Sequence, residues 1–273
     1  MSTSQNYPFN PLQWPASPHD FTGDNNLGVY CDDAAQRYIA GTRHITWDGK
    51  VFKYSKSYSA ALLSGWGAGN ASNICNINVT GATVTAGDRT TVLAADSTCG
   101  VAADGVLADK ELVGGYWITG HGASTVQTRL IIDTEGVSVS GVGGNITLTL
   151  EAPVSNTLAT PFTEVVLNPY RYLIKGNVGG YSSIMGVPAA NRTAAYWGWI
   201  QTWGPCWITP GSDSGSIGDT GEERMTYFVG DGAVNGAVAL SGGVAGYQPA
   251  GCIIDSTVGA TDALPLIMLQ LSI

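Results

Sequence analysis

Few residues of this 273-residue chain could do chemistry, and they do not gather. His19, His44 and His121 lie far apart, with no cysteine or carboxylate companion at metal-ligand spacing. His44 is expected on a strand opposite Lys53, a poor setting for a general base or a ligand. Asp213, Asp219, Glu222 and Glu223 share one Gly/Ser-rich loop. They could hold calcium weakly, but their spacing is not that of an EF-hand loop, and an acidic surface loop is the stronger reading. Cys31, Cys75, Cys99, Cys206 and Cys252 are widely separated, odd in number and contain no Cys-x-x-Cys pair. A zinc site is therefore not expected, and the thiols fit free, buried cysteines of a reducing cytoplasm. Gly141-Val-Gly-Gly lacks the Lys-Ser/Thr of a phosphate-binding loop. The expectation is a protein without catalytic residues, metal or cofactor, and not an enzyme.

Asp213-Ser214-Gly215 resembles the nucleophile region of trypsin-like serine proteases over three residues only. Ser216 stands where that family has glycine, and no Ala-His-Cys segment accompanies it, so a turn accounts for it better. Asn70, Asn78, Asn145 and Asn191 each open an Asn-x-Ser/Thr sequon. The first residues show neither a basic start nor an apolar core, so no secretory signal is expected and the sequons read as coincidences.

The bulk chemistry excludes further classes. Only 12% of residues are charged, and the formal net charge is −9. Nucleic-acid binding needs clustered Lys and Arg to neutralise phosphates, so it is not expected. No apolar run is long enough to span a membrane as a helix. With 37 glycines, abundant Val, Thr and Ser, and no sustained helical period, the chain should be mainly β.

Most of the recognisable residues are aromatic, and three elements should position them. The first is Tyr196–Ile208, which carries Trp197, Trp199, Trp203 and Trp207. As a strand it would turn Trp197, Trp199, Gln201 and Trp203 to one side, until Gly204-Pro205 interrupts the ladder. Those rings need a large partner surface: the protein's own core, another subunit, or a flat ligand such as a sugar. The second is a hairpin over Gly41–Ser55 with a type I′ turn at Asp48-Gly49. In that register Trp47 faces Lys50, Ile45 faces Phe52 and Arg43 faces Tyr54. The third is the segment 1–27, whose Pro8, Pro11, Pro15 and Pro18 exclude helix and central strand. This extended arm also carries Tyr7, Phe9, Leu12, Trp14 and Phe21, which would dock on their own domain or on a neighbouring molecule.

Between about 76 and 169 aromatics become rare and short Val/Thr/Gly strands follow one another, at Asn78, Thr90, Gly115, Thr128 and Asn145. This suits a small β-barrel or sandwich. It should be inserted into a second, aromatic-rich β domain made of 28–75 and 170–273. Short helices are admitted at Asp32–Ala40 and Tyr58–Gly65, with Trp66–Asn70 as a flexible connection.

Arg43-His-Ile-Thr-Trp-Asp-Gly-Lys-Val-Phe-Lys-Tyr54, Met185-Gly-Val-Pro188 and Gln201-Thr-Trp-Gly-Pro-Cys206 resemble a family of structural proteins of tailed bacteriophages. The resemblance covers roughly 28–75 and 170–273 and is thinner between. It implies a decoration (cement) protein on the outer capsid surface of the virion, assembled in the host cytoplasm, trimeric, with the major capsid protein as partner. It supplies no site residues. The interface candidates are those read from the residues: Tyr7, Phe9, Leu12, Trp14, Phe21, Trp47, Trp197, Trp199 and Trp203. The rival expectation is a tail or fibre component that binds a host glycan through exposed tryptophans.

Overall fold

Short, Gly-punctuated Val/Thr/aromatic runs fold here into antiparallel strands. The computed structural model describes residues 28–70, 76–80, 83–95, 106–121, 126–135, 137–138, 144–159, 161–176, 183–211, 217, 224–236, 248–255 and 265–271. The arm, the acidic loop carboxylates, His19, Cys75 and Cys99 lie outside the described residues. Within them there is no α-helix, and none long and apolar enough to cross a membrane; a single 3-10 turn covers Gly28–Tyr30. The protein is mainly β, with two large curled antiparallel sheets that each form a half-barrel.

Four strands precede the middle segment: β1 (Asp32–Asp33), β2 (Arg43–Ile45), β3 (Val51–Lys56) and β4 (Ala68–Asn70). The middle segment supplies β5 (Asn76–Thr80), β6 (Thr90–Ala95), β7 (Val106–Leu107), β8 (Tyr116–His121), β9 (Gln127–Thr134), β10 (Val137–Ser138), β11 (Gly144–Leu150) and β12 (Phe162–Val166). Then come β13 (Leu173–Lys175), β14 (Ile184–Pro188), β15 (Trp197–Trp207), β16 (Met225–Phe228), β17 (Val234–Gly236), β18 (Gln248–Asp255) and β19 (Leu266–Gln270). By contacts the chain divides into two compact units, Met1–Ser72 with Tyr170–Ile273, and Asn73–Pro169.

The Asn73–Pro169 unit is a six-stranded sheet in the order β5-β12-β8-β9-β11-β6, with β7 and β10 paired separately. Alternation in β8, β9, β11 and β12 sends Trp117, Ile131, Ile146, Leu148 and Val165 inward, each 1% exposed or less. Its second strand in that order, β12, is absent from the sequence-based strands. Its outward residues are Phe162, Glu164 and Val166, and Thr163 turns inward with Val165, so neither face of its five residues is uniformly polar or apolar.

The other unit is an eleven-stranded sheet. Its main path is β13-β4-β14-β15-β19-β18-β16-β17, and β1 and β3 also pair with β15. β15 is thus the strand on which this unit is assembled. One core lies between β14, β15, β16, β18 and β19, around Ile184, Ile208, Phe228, Ile267 and Leu269. A second, aromatic core holds Phe52, Tyr54, Trp197 and Trp199.

Three local expectations are corrected. Neither expected helix forms. After β1 the chain is irregular to Ala40, and Leu62 instead exchanges both backbone bonds with Arg192, which holds that stretch extended. Trp66–Asn70 is not a flexible connection but runs into β4, bonded between β13 and β14.

The hairpin exists, but one residue out of the expected register. Arg43 pairs with Lys53, His44 with Phe52 and Ile45 with Val51. The loop has three residues, Trp47–Gly49, rather than two. Gly49 N–H donates to Thr46 O and Thr46 N–H to Lys50 O, each at 3.0 Å. Only Gly49 has positive φ, at +81°, so the turn is type I closed by a left-handed glycine, not type I′. The physical reason is Thr46. Its Oγ1 donates to Asp48 Oδ1 at 2.5 Å and lies 3.2 Å from Lys50 O, closing the wider loop with its side chain. A one-residue slip exchanges the faces of a strand. His44 therefore turns inward, and Trp47 leaves the apolar face for the tip.

Nothing lies within 4 Å of where a Gly49 Cβ would sit. Gly49→Val should then cost only the backbone strain of a β-branched residue at positive φ, about 1–3 kcal/mol. Gly49→Asn, a residue that tolerates this region, should lose much less. Chemical denaturation of both variants gives the comparison, and equal losses would refute the left-handed assignment.

Candidate functional site

The interface candidates separate by depth. Trp197 and Trp199 are 4% and 1% exposed. Tyr54 stacks on Trp197 at 5.6 Å and 9°, and meets Trp199 edge-on at 5.2 Å. Tyr38 and His44 close on Trp199 at 5.5 and 5.8 Å. Lys56 Nζ lies 5.5 Å from the centre of the Trp197 ring, and the Arg171 guanidinium carbon lies at the same distance. These two tryptophans belong to the unit's own core. They are removed from the interface candidates, and a flat sugar platform loses two of its rings. The cause is β3, which lies along β15 with Tyr54 opposite Trp199 and Phe52 opposite Gln201, so that two aromatic rings of β3 cover this part of β15.

The β15 ladder is not interrupted at Gly204-Pro205. It continues to Trp207, with Pro205 opposite Met268 and Cys206 opposite Ile267. Past Trp203, β3 has ended and among the described residues only β19 pairs, which leaves the other edge of β15 as a place where a sheet accepts proline. Pro205 O accepts Gln201 Nε2 at 2.9 Å. A strand residue's N–H and C=O point the same way, so the missing donor takes nothing from the β19 ladder. Thr202 is an extra residue opposite β3, between the Gln201–Phe52 and Trp203–Val51 pairs. Such a bulge bends the strand and disturbs its alternation. Trp203 ends partly buried and Trp207 is 53% exposed.

Trp47 is the extreme case, 93% exposed at the hairpin tip. Lys50 Nζ sits 3.1 Å from Asp48 Oδ2 across the same loop. Partial burial raises the Asp48 carboxyl, but donation from Thr46 and Lys50 outweighs it and holds the group below the usual carboxylate range. The loop thus carries an ion pair beside the exposed indole.

An open cleft of about 280 Å3 lies beside this loop. Tyr30, 54% exposed, and Trp207 line it together with Phe52, Pro188, Pro205 and Cys206. Its polar groups are already engaged. Gln201 Nε2 points to three carbonyl oxygens, those of Trp203, Gly204 and Pro205, at 2.9–3.1 Å. Ser64 Oγ lies 3.1 Å from Asn191 Oδ1. Burial pushes the Cys206 thiol up to about 12, so it is not a nucleophile at neutral pH. The rest of the lining is largely aromatic, proline and small apolar surface.

His121 ends β8, and His44 is buried against Trp199 rather than facing Lys53. Among the described residues no three His, Cys, Asp or Glu side chains are grouped to hold a metal ion. Cys31, Cys206 and Cys252 are free thiols. Tyr7, Phe9, Leu12, Trp14 and Phe21 lie outside the described residues. Sequence reasoning missed Tyr30, Trp207 and the buried Arg192. Trp207 had a signal, since it follows a Gly-Pro pair that marks a strand edge. Tyr30, in a short Gly-Val-Tyr step, had none.

No family model matches the chain, and no curated protein and no solved structure matches it.

Proposed function

We propose that the chain is a non-enzymatic capsid decoration protein that stabilises a tailed-phage head by bridging subunits of the major capsid protein, as a homotrimer on the outer surface. The observation that carries the reading is Trp47. A tryptophan 93% exposed, on a loop closed by Thr46, Asp48 and Lys50, is an anchor built for another surface rather than for its own core. Tryptophan is the residue most enriched at the energetic centres of interfaces. Its ring can bury about 150–250 Å² on a partner. The sequence resemblance to phage structural proteins runs through this same hairpin. A sparsely charged β surface suits close packing on a shell, and the proposal asks for no cofactor, nucleic acid or membrane.

The test is co-sedimentation of the chain with capsid shells. Trp47→Ala should weaken retention by about 2 kcal/mol or more, which is roughly thirtyfold in affinity. Its thermal unfolding should stay unchanged, because the ring touches little of its own unit. Retention equal to that of the parent would remove Trp47 as the anchor. Absence of any binding by the parent chain to shells would remove the decoration reading itself.

A further inference from the structure

The cleft beside the hairpin has a lining that matches a segment of this same chain. Tyr30 and Trp207 each leave half their surface open, and Pro188 and Pro205 lie with them. Lys50 is its only charged residue, and that charge is paired with Asp48. Aromatic-lined, neutral grooves of this kind recognise polyproline II segments, whose backbone is already extended and loses little entropy on docking.

Residues Tyr7–Pro18 read Tyr-Pro-Phe-Asn-Pro-Leu-Gln-Trp-Pro-Ala-Ser-Pro and contain no charged residue. Pro8 and Pro11 are three apart, and so are Pro15 and Pro18. A polyproline II helix has three residues per turn, so each Pro-x-x-Pro pair falls on one face. The tether is short. The described chain starts at Gly28, two residues before Tyr30 on the cleft wall. The ten steps from Pro18 to Gly28 span up to about 35 Å, ample to turn back. A tether of that length gives a segment a millimolar effective concentration at the cleft, above that of the same segment on another copy in dilute solution.

We propose that the Tyr30–Trp207 cleft is the docking site for the chain's own proline-rich segment, Tyr7–Pro18. This goes beyond the capsid reading and does not depend on it. Docking covers Tyr30 and Trp207, stacks proline rings on them, and leaves the Trp47 tip free.

The experiment uses the full chain with Trp207→p-benzoylphenylalanine, irradiated as an equal mixture of 14N- and 15N-labelled protein. The expected result is crosslinks from position 207 to residues within 7–18, joining peptides of the same label. Pro8→Ala with Pro11→Ala should lower the yield severalfold, and so should a large excess of synthetic Tyr7–Pro18 peptide. Asn10→Ala, between those prolines and off their face, should leave it unchanged. A second photoprobe, Tyr30→p-benzoylphenylalanine on the opposite wall, should mark the same segment. Failure of both probes to mark 7–18 overturns the proposal. Mixed-label crosslinks in the statistical share that random pairing of copies gives overturn it in favour of a second copy as the occupant. A yield indifferent to the prolines overturns the polyproline mode.

Discussion

Replacing Trp199 by alanine should cost about 3–5 kcal/mol, the range for deleting a fully buried large aromatic. The ring is 1% exposed and touches Tyr54 of β3, His44 of β2 and Tyr38, so its removal opens a cavity walled by three rings. The Tyr54 wall cannot collapse without breaking the Trp199–Tyr54 register, which is why the upper part of the range is expected. Trp199→Phe should lose distinctly less. The indole N–H is buried without an acceptor among the described residues, and phenylalanine removes that unpaired donor along with part of the volume. Trp47→Ala supplies the contrast, with a change within about 0.5 kcal/mol, as for exposed positions generally. The measurement is the denaturant midpoint, with tryptophan emission and far-UV circular dichroism as separate probes because the chain has two compact units. Equal losses at Trp47 and Trp199 would contradict the placement of both side chains.

That pair of tryptophans shows how far the sequence could be read. The β class follows from short Val/Thr/Gly-rich runs between turn residues; the last strand, Leu266–Gln270, is apolar on both faces, yet only Ile267 and Leu269 are fully buried, while Leu266 and Met268 are partly exposed. Asp48-Gly49 marks a turn without ambiguity of place. The register was not legible, because it depends on whether Thr46 joins the strand or closes the loop. Its side-chain bonds decide that, and a pattern of apolar residues is blind to them. With Trp47 assigned to the apolar face, the most exposed tryptophan looked interchangeable with the most buried ones.

Depth along β15 was illegible for a related reason. Alternation predicts one face for Trp197, Trp199 and Trp203, but burial depends on which strands cover which end. β3 covers the first part, and the bulge at Thr202 and the end of β3 before Pro205 leave Trp207 outside. The cleft needed Tyr30, Phe52, Pro188 and Trp207 to converge from four separate places in the chain. No local pattern carries such a convergence.

Arg192 is the other position where a large effect is expected, and composition gives no hint of it. It sits in Asn-Arg-Thr, a surface-like sequence, yet is 3% exposed. Its Nη1 donates to Ser55 Oγ at 2.8 Å and Ser55 O at 3.3 Å, and its Nη2 to Trp199 O at 2.9 Å. One guanidinium therefore ties β3 to β15 behind the aromatic core. Burial pulls its pKa down from the usual arginine range, with Tyr54 and Asp32 acting the other way, yet it stays charged at neutral pH. Gly198 makes room for it, since a Cβ there would stand 2.9 Å from Arg192 Nε. Arg192→Met keeps much of the apolar stem but removes three bonds donated by a buried charge, those to Ser55 Oγ and O and one of the two that Trp199 O accepts, the other coming from Ala189 N–H; a hydrogen bond to a charged group contributes about 1.5–3 kcal/mol. A loss of about 3 kcal/mol or more is expected, and Arg192→Lys should not restore it, because an ammonium lacks the planar fork that reaches two strands at once. Gly198→Ala should be costly beside Arg192 and cheaper beside Arg192→Ala, where of these contacts only the Cys31 carbonyl, 3.0 Å from the new Cβ, still crowds it. A double-mutant cycle over the two positions should then give a coupling within the range of about 0.5–3 kcal/mol seen for contacting residues. Additive losses would mean that Gly198 does not serve the guanidinium, and a stable Arg192→Met variant would mean that the tie between β3 and β15 is dispensable.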